Sequence, residues 1–374
     1  MKLLIPRPAA LLLGASLLLA VPTLLLVGSR RSEHPVAGRV SAASSRENDD
    51  SLAWRHSHAL VSAAPTVLPA PPTAVTAGGP GVTNSVAASS APRPTATAPP
   101  APSAGLPSFS HIFTIVMENE ESTSIIGNPA APFINGLAGR YGLATNYYAV
   151  SHPSLPNYLA LTAGSTFGIA SDCTTCYLGA VNIADQVEAS GRSWRAYMED
   201  MPAPCYSGAW SGNYAMKHDP FMYYDDIRLN PARCAAHVVP FSQFSVDVSA
   251  GRVPNYVFIT PNMCNDMHDC PVSTGDSWLS RVVPAITASP AFLHGGVLFI
   301  TWDEGASGAG CCGDAWGGRV ATLVISPLAI TGGRSAIAEN HYSLLRTIED
   351  AWHLGHLGAA GNPANASMRE YFRN

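Results

Sequence analysis

Charge is scarce in this sequence. Of 374 residues only 13% are charged, with 21 Lys+Arg and 26 Asp+Glu for a formal net charge of −5. That is about half the usual charged share. No basic stripe or patch stands out, which excludes nucleic acid as a partner class. No internal repeat occurs. A Gly-x-Ser-x-Gly string is also missing, which argues against the triad of the α/β-hydrolases. Between Val61 and Ser108 there is no aromatic residue and a single charge, Arg93. Such a stretch buries too little apolar surface to offset its ordering entropy.

What is present divides the chain. Lys2 and Arg7 precede an uncharged run from Pro8 to Ser29, rich in Leu and Ala, closed by Arg30 and Arg31. A run of about 20 such residues is long enough to span a bilayer, so residues 1–31 read as a signal peptide or a signal-anchor. Export of the downstream chain is expected, to the extracellular space or the cell surface, with membrane anchoring if the segment is retained. Residues 32–108 read as a disordered linker rich in Pro, Ala, Ser and Thr. The remainder, 109–374, is expected to be one catalytic-sized domain.

All 8 cysteines lie in that domain. An even number behind an export signal argues for disulfides. Local pairs (Cys173 with Cys176, Cys205 with Cys234, Cys264 with Cys270) are the natural ones, and the neighbours Cys311 and Cys312 need either a vicinal bridge or separate partners. A zinc site built on Cys173-x2-Cys176 is the competing reading.

The domain alternates apolar runs with helical spacing. Strands are expected at 111–117, 144–150, 193–199, 255–260, 296–302 and 320–326, and helices at 132–142, 154–164, 182–191, 275–289 and 340–354. This order implies an α/β fold, a mostly parallel central sheet sandwiched by helices. Ligands in such sheets bind beyond the C-terminal ends of the strands.

Those ends carry the polar residues. HIFTIVM runs into Glu118-Asn119, and GVLFITW into Asp303-Glu304. NYVFIT leads to Asn262, Asn265, Asp266, His268 and Asp269, and ATNYYAV to Ser151, His152 and Ser154. Each acidic pair alone reads equally as a solvated loop or a helix cap. Together they repel unless a cation sits among them, and oxygen ligands suit Ca²⁺, Mg²⁺ or Mn²⁺. Ser154 opens an expected helix, where backbone N–H groups favour a phosphate; an ordinary N-cap is the alternative. A hydroxyl there beside a metal can attack phosphorus. Among the histidines, His152, His218, His268 and His341 stand among polar or turn residues, and of these His152, His268 and His341 are the site candidates.

The strings HIFTIVMEN, NYYAVSHPSLPNYLALTAG, FITPNMCNDMHDC, LFITWDEG and ENHYSLLRTIEDAW resemble, in this order, the bacterial phosphoesterase family, which includes acid phosphatases and the non-haemolytic type of phospholipase C. That family is similar to the alkaline phosphatase superfamily. The resemblance covers about 110–360. It implies an alkaline-phosphatase-like fold. It implies one divalent metal (Ca, Mg, Mn or Zn) held by Glu118, Asn119, Asp303 and Glu304. It implies Ser154 as nucleophile, Asn157 donating to a phosphoryl oxygen, and His152, Asp266, His268 and His341 as phosphate-binding or leaving-group residues. Asn262 stands where an acidic ligand of a second metal would be expected.

The expected reaction is hydrolysis of a small phosphomonoester through a phosphoserine, with His268 or His341 protonating the leaving oxygen. A phospholipase C-type diesterase on the same site is the nearest rival, and a non-catalytic surface binding protein the rival of another class. A sulfatase lacks support, because no Cys-x-Pro-x-Arg string occurs.

Overall fold

The computed structural model describes residues 105–373. The expected segment 1–31 and the expected linker up to residue 104 lie outside the described residues. The strands are β1 (Ile112–Met117), β2 (Gly142–Ala144), β3 (Tyr147–Tyr148), β4 (Trp194–Met198), β5 (Trp210–Ser211), β6 (Tyr214–Ala215), β7 (Val238–Pro240), β8 (Tyr256–Thr260), β9 (Val297–Trp302), β10 (Thr322–Ile325), β11 (Arg334–Ser335) and β12 (Glu339–Asn340). The α-helices are α1 (Ser122–Ile125), α2 (Pro132–Arg140), α3 (Ser154–Ala163), α4 (Ile183–Ala189), α5 (Asp225–Arg228), α6 (Pro231–His237), α7 (Ser242–Ser249), α8 (Val272–Thr287), α9 (Pro290–Leu293) and α10 (His341–Trp352).

Eight strands form one sheet in the order β11-β2-β10-β9-β1-β8-β4-β7. Only β10 runs against its neighbours, pairing antiparallel with β9 and β2, so the sheet is mostly parallel. Strands β1, β8 and β9 are buried along their whole length. That is why they read as unbroken apolar runs: a parallel strand covered on both faces has no solvent side to mark with polar residues. Helix α3 packs on α10, and α2 on α8.

The expected strand 144–150 is split. Thr145 sends both its N–H (2.9 Å) and its hydroxyl (2.6 Å) to the Ser335 carbonyl, and the chain bends there. β2 stays in the main sheet, whereas β3 pairs with β12 in a separate two-stranded sheet. The cysteines pair as Cys173–Cys176, Cys205–Cys234, Cys264–Cys270 and Cys311–Cys312, leaving none for the zinc alternative. Among the described residues no helix is long and apolar enough to cross a membrane.

Candidate active site

Register builds the site. β1 lies inside the sheet between β9 and β8, and its C-terminal end is on the edge where ligands of parallel sheets bind. Met117 pairs with Trp302 across β1 and β9, so Glu118 and Asp303 leave the sheet side by side. On the other flank, Glu118 N–H donates to the Asp266 carbonyl at 2.9 Å, tying in the loop after β8. Asn119 adopts a left-handed φ of 56° and its N–H donates to Asp303 Oδ1 at 3.0 Å. A non-glycine residue in that region is held there by its surroundings, a common feature of functional turns.

Ser154 is the first residue of α3 and 1% exposed, and its hydroxyl donates to Glu118 Oε2 at 3.0 Å. Tyr158, one turn on, donates to Glu118 Oε1. His218 lies between two carboxylates, with Nε2 3.2 Å from Glu118 Oε2 and Nδ1 3.4 Å from Asp266 Oδ2. Neither contact is aligned as a hydrogen bond. Glu118, His218 and Asp266 each offer a ligand atom, all within 4.8 Å of one another.

The charges are strongly perturbed. Burial works against the Glu118 anion, but His218, Lys217 and His268 outweigh it and hold the carboxyl at about 2. Burial would also lower His218, yet Glu118 and Asp266 lift it to about 9. Asp266 is pushed up to about 6 by burial, against the pull of His218. Asp303 is held well above the usual range by burial and by Glu118 and Glu304. Asp266 Oδ2 and Asp303 Oδ2 are buried and find no hydrogen-bond partner among the described residues. Orphaned carboxylate oxygens beside an imidazole are a donor set that a divalent cation completes, so these residues fit a metal ion.

The other expected residues have the following contacts. Glu304, expected as a metal ligand, pairs with His152 Nδ1, while His152 Nε2 meets the Ser307 carbonyl at 3.1 Å. His268 Nε2 stands 3.4 Å from Lys217 Nζ, and its Nδ1 is 2.9 Å from Asp269. His341, the first residue of α10, is fully buried. Its Nε2 donates to the Asp303 carbonyl at 2.6 Å and its Nδ1 faces Tyr147 OH at 3.2 Å. Its Nε2 proton is committed to a backbone carbonyl inside the core, whereas His268 is part-exposed, which argues against the expected place of His341 at the leaving group. Asn157 is corrected likewise. Its Oδ1 accepts from the Val150 and Ser151 N–H groups at 2.9 Å each, and its Nδ2 donates to Ser151 and Pro153 carbonyls. That amide staples the turn before Ser154 and has nothing left for a phosphoryl oxygen. Asn262 is a turn residue, accepting from Cys264 and Asn265 N–H.

Lys217, Tyr158 and Asp172 carry no site signal in the sequence, and His218 stands there among the polar histidines but not among the site candidates. Lys217 is 7% exposed, with Nζ 2.9 Å from Asp172 Oδ2. Asp172 Oδ1 in turn accepts from Leu155 N–H at 3.0 Å, in the first turn of α3. The string Lys217-His218-Asp219 follows only the two-residue strand β6, not a long apolar run of the main sheet. It arrives on a single 3₁₀ turn, Met216–His218. A separate cleft of about 670 Å³ runs along the β4–β7 edge and holds none of these residues.

The model of the Phosphoesterase family matches residues 117–355. The chain belongs to the Phosphoesterase family. Membership makes the reaction it catalyses the hydrolysis of a phosphoric ester. The chain is 34% identical over 258 residues to a phosphatidylinositol-3-phosphatase of Mycobacterium tuberculosis, covering 69% of this chain and 81% of that one. It is 29% identical to a probable acid phosphatase of Kluyveromyces lactis (69% and 61% covered) and 27% identical to an acid phosphatase of Aspergillus fumigatus (67% and 56% covered). It thus spans about three fifths of these two fungal relatives. Among solved structures it is similar to a protein of the alkaline phosphatase superfamily from Vibrio parahaemolyticus, at 13% identity and a TM-score of 0.48, with 68% of each chain covered. A glycosaminoglycan-metabolism protein of Bacteroides thetaiotaomicron is similar at 12% identity and a TM-score of 0.50, covering 71% of this chain and 82% of that one, a likeness of fold alone.

Proposed function

We propose that this chain is an exported, metal-dependent phosphomonoesterase that works through a phosphoserine on Ser154. The observation that carries the reading is the buried Ser154 hydroxyl at the head of α3, 3.0 Å from Glu118 and ringed by charged groups. The names of its relatives, a phosphatidylinositol-3-phosphatase and several acid phosphatases, favour monoesters over diesters. Four disulfides among the described residues favour an oxidising compartment.

Glu118, His218, Asp266 and Asp303 are the residues that would hold the metal. When bound, the ion supplies positive charge for the phosphoryl oxygens and eases ionisation of the serine. Glu118, with its carboxyl at about 2, is a poor base; it aims the Ser154 hydroxyl instead. The positive end of the α3 dipole and the Lys217 ammonium favour a phosphoryl group in front of Ser154, although Leu155 N–H is already given to Asp172 and Pro156 has none. Ser154 Oγ, its proton released to solvent, bonds to phosphorus as the ester oxygen departs, and His268, the part-exposed imidazole beside Lys217, gives that oxygen its proton. Water then attacks phosphorus and passes a proton back to His268, the Oγ–P bond breaks, and Oγ takes a proton from solvent, leaving orthophosphate and the free serine.

The test is hydrolysis of p-nitrophenyl phosphate and bis-p-nitrophenyl phosphate by the full-length protein, with EDTA and with metals restored. Quenched samples are digested and searched by mass spectrometry for phosphate on Ser154. EDTA-sensitive monoester turnover with phosphoserine at that position supports the proposal. Turnover of the diester alone overturns the monoester assignment, and turnover indifferent to EDTA overturns the metal.

A further inference from the structure

The rim of the site carries an aromatic side chain that the mechanism leaves idle. Trp316 is 47% exposed, yet its backbone is held on every side. Its N–H donates to the Val150 carbonyl at 3.0 Å, and the next residue, Gly317, donates to Ala149 at 2.9 Å and accepts from Gly305 at 2.8 Å. Gly317 has no room for a side chain: a Cβ there would lie 2.4 Å from the Ser151 carbonyl oxygen. The loop behind is fastened to the head of α10 through Asp314, which accepts from Asn340 at 3.3 Å and Asn365 at 2.8 Å. The indole meets the His152 imidazole edge to face, with centroids 6.1 Å apart. His152 in turn pairs with Glu304, beside Asp303, and lies two residues before Ser154. A rigidly mounted, half-exposed indole at this place is a preformed surface for an apolar group, since its ordering entropy has already been met.

We propose that Trp316 is a specificity-determining residue that receives the apolar, above all aromatic, alcohol portion of the phosphoric ester. The inference rests on Ser154 marking where the phosphoryl group sits. The alcohol must project outward from Ser154, and on the His152 side the indole stands against the imidazole, 6.1 Å between centroids.

The test compares 1-naphthyl phosphate with glycerol 2-phosphate, a polar ester of the same class. In Trp316→Ala, KM for the naphthyl ester rises about tenfold more than KM for the glycerol ester, the scale of one aromatic contact, while Trp316→Phe retains most of the preference. The same comparison by calorimetric titration of both esters in a Ser154→Ala background needs no turnover. An equal loss for both esters, or none for either, overturns the inference. An inactive wild-type protein that still loses naphthyl selectivity on Trp316→Ala in the titration would fault the hydrolase reading and leave the subsite standing.

Discussion

The Ser154 hydroxyl donates to Glu118 Oε2 at 3.0 Å across a space closed to solvent, joining the head of α3 to the end of β1. The two residues are 36 apart in sequence and meet because β1 ends and α3 begins at the same rim. Ser154→Ala should lower kcat by at least about 10³-fold and abolish phosphoserine. The loss in stability should be small, about 1 kcal/mol, the scale of one hydrogen bond. Steady-state kinetics beside thermal unfolding checks both, and a variant that keeps normal turnover removes Ser154 from the chemistry.

Lys217 offers the next prediction. Its ammonium is buried yet kept above its ordinary pKa: burial lowers it, and Asp172, Glu118 and Asp303 more than compensate. A permanent cation there should bind the phosphoryl oxygens. Lys217→Met is expected to raise the inhibition constant for orthophosphate about tenfold, and Lys217→Arg to recover part of that affinity. Competition by orthophosphate measures it; an unchanged constant would confine Lys217 to pairing with Asp172.

Much of this was legible in the chain itself, for a physical reason. Central parallel strands must be apolar throughout, so the residue after each run stands out, and Glu118 and Asp303 were found that way. Helix starts were similarly plain: Asn182 and Asn340 form capping boxes on α4 and α10. His218 and Lys217 were not legible as site residues, because a 3₁₀ turn leaves no periodic trace and their approach to Glu118 is purely tertiary. The roles of Asn157 and His341 were hidden for the opposite reason. Their side-chain types suit phosphate chemistry, and only the hydrogen bonds show that their polar atoms are already committed.

His341 therefore acts on position. Burial lowers it to about 4, with the Asp303 carbonyl opposing, so the ring is neutral above about pH 5. His341→Gln should reduce kcat by about 10- to 100-fold through a shifted Asp303, and destabilise the fold by about 1–3 kcal/mol. The shape of the pH–rate profile should persist at lower amplitude. Loss of one limb of that profile would instead make His341 a proton donor.

Glu349 provides a stability test remote from the catalytic rim. It is fully buried on α10, with Oε1 accepting from Leu357 N–H at 2.8 Å and Oε2 without a partner among the described residues. Burial, reinforced by Asp350, raises its pKa from 4.5 to about 9. The folded chain thus keeps a proton that the unfolded chain releases above about pH 4.5, so this group's contribution is fully present below that pH. It is lost progressively as pH rises toward 9. Glu349→Gln replaces the neutral acid with a neutral amide and removes that loss. Its melting temperature should exceed that of the parent at pH 8 by more than at pH 5. The difference should be about 4–8 °C if roughly 2 kcal/mol is involved. Scanning calorimetry at the two pH values measures it, and parallel shifts at both would mean that Glu349 is ionised in the fold.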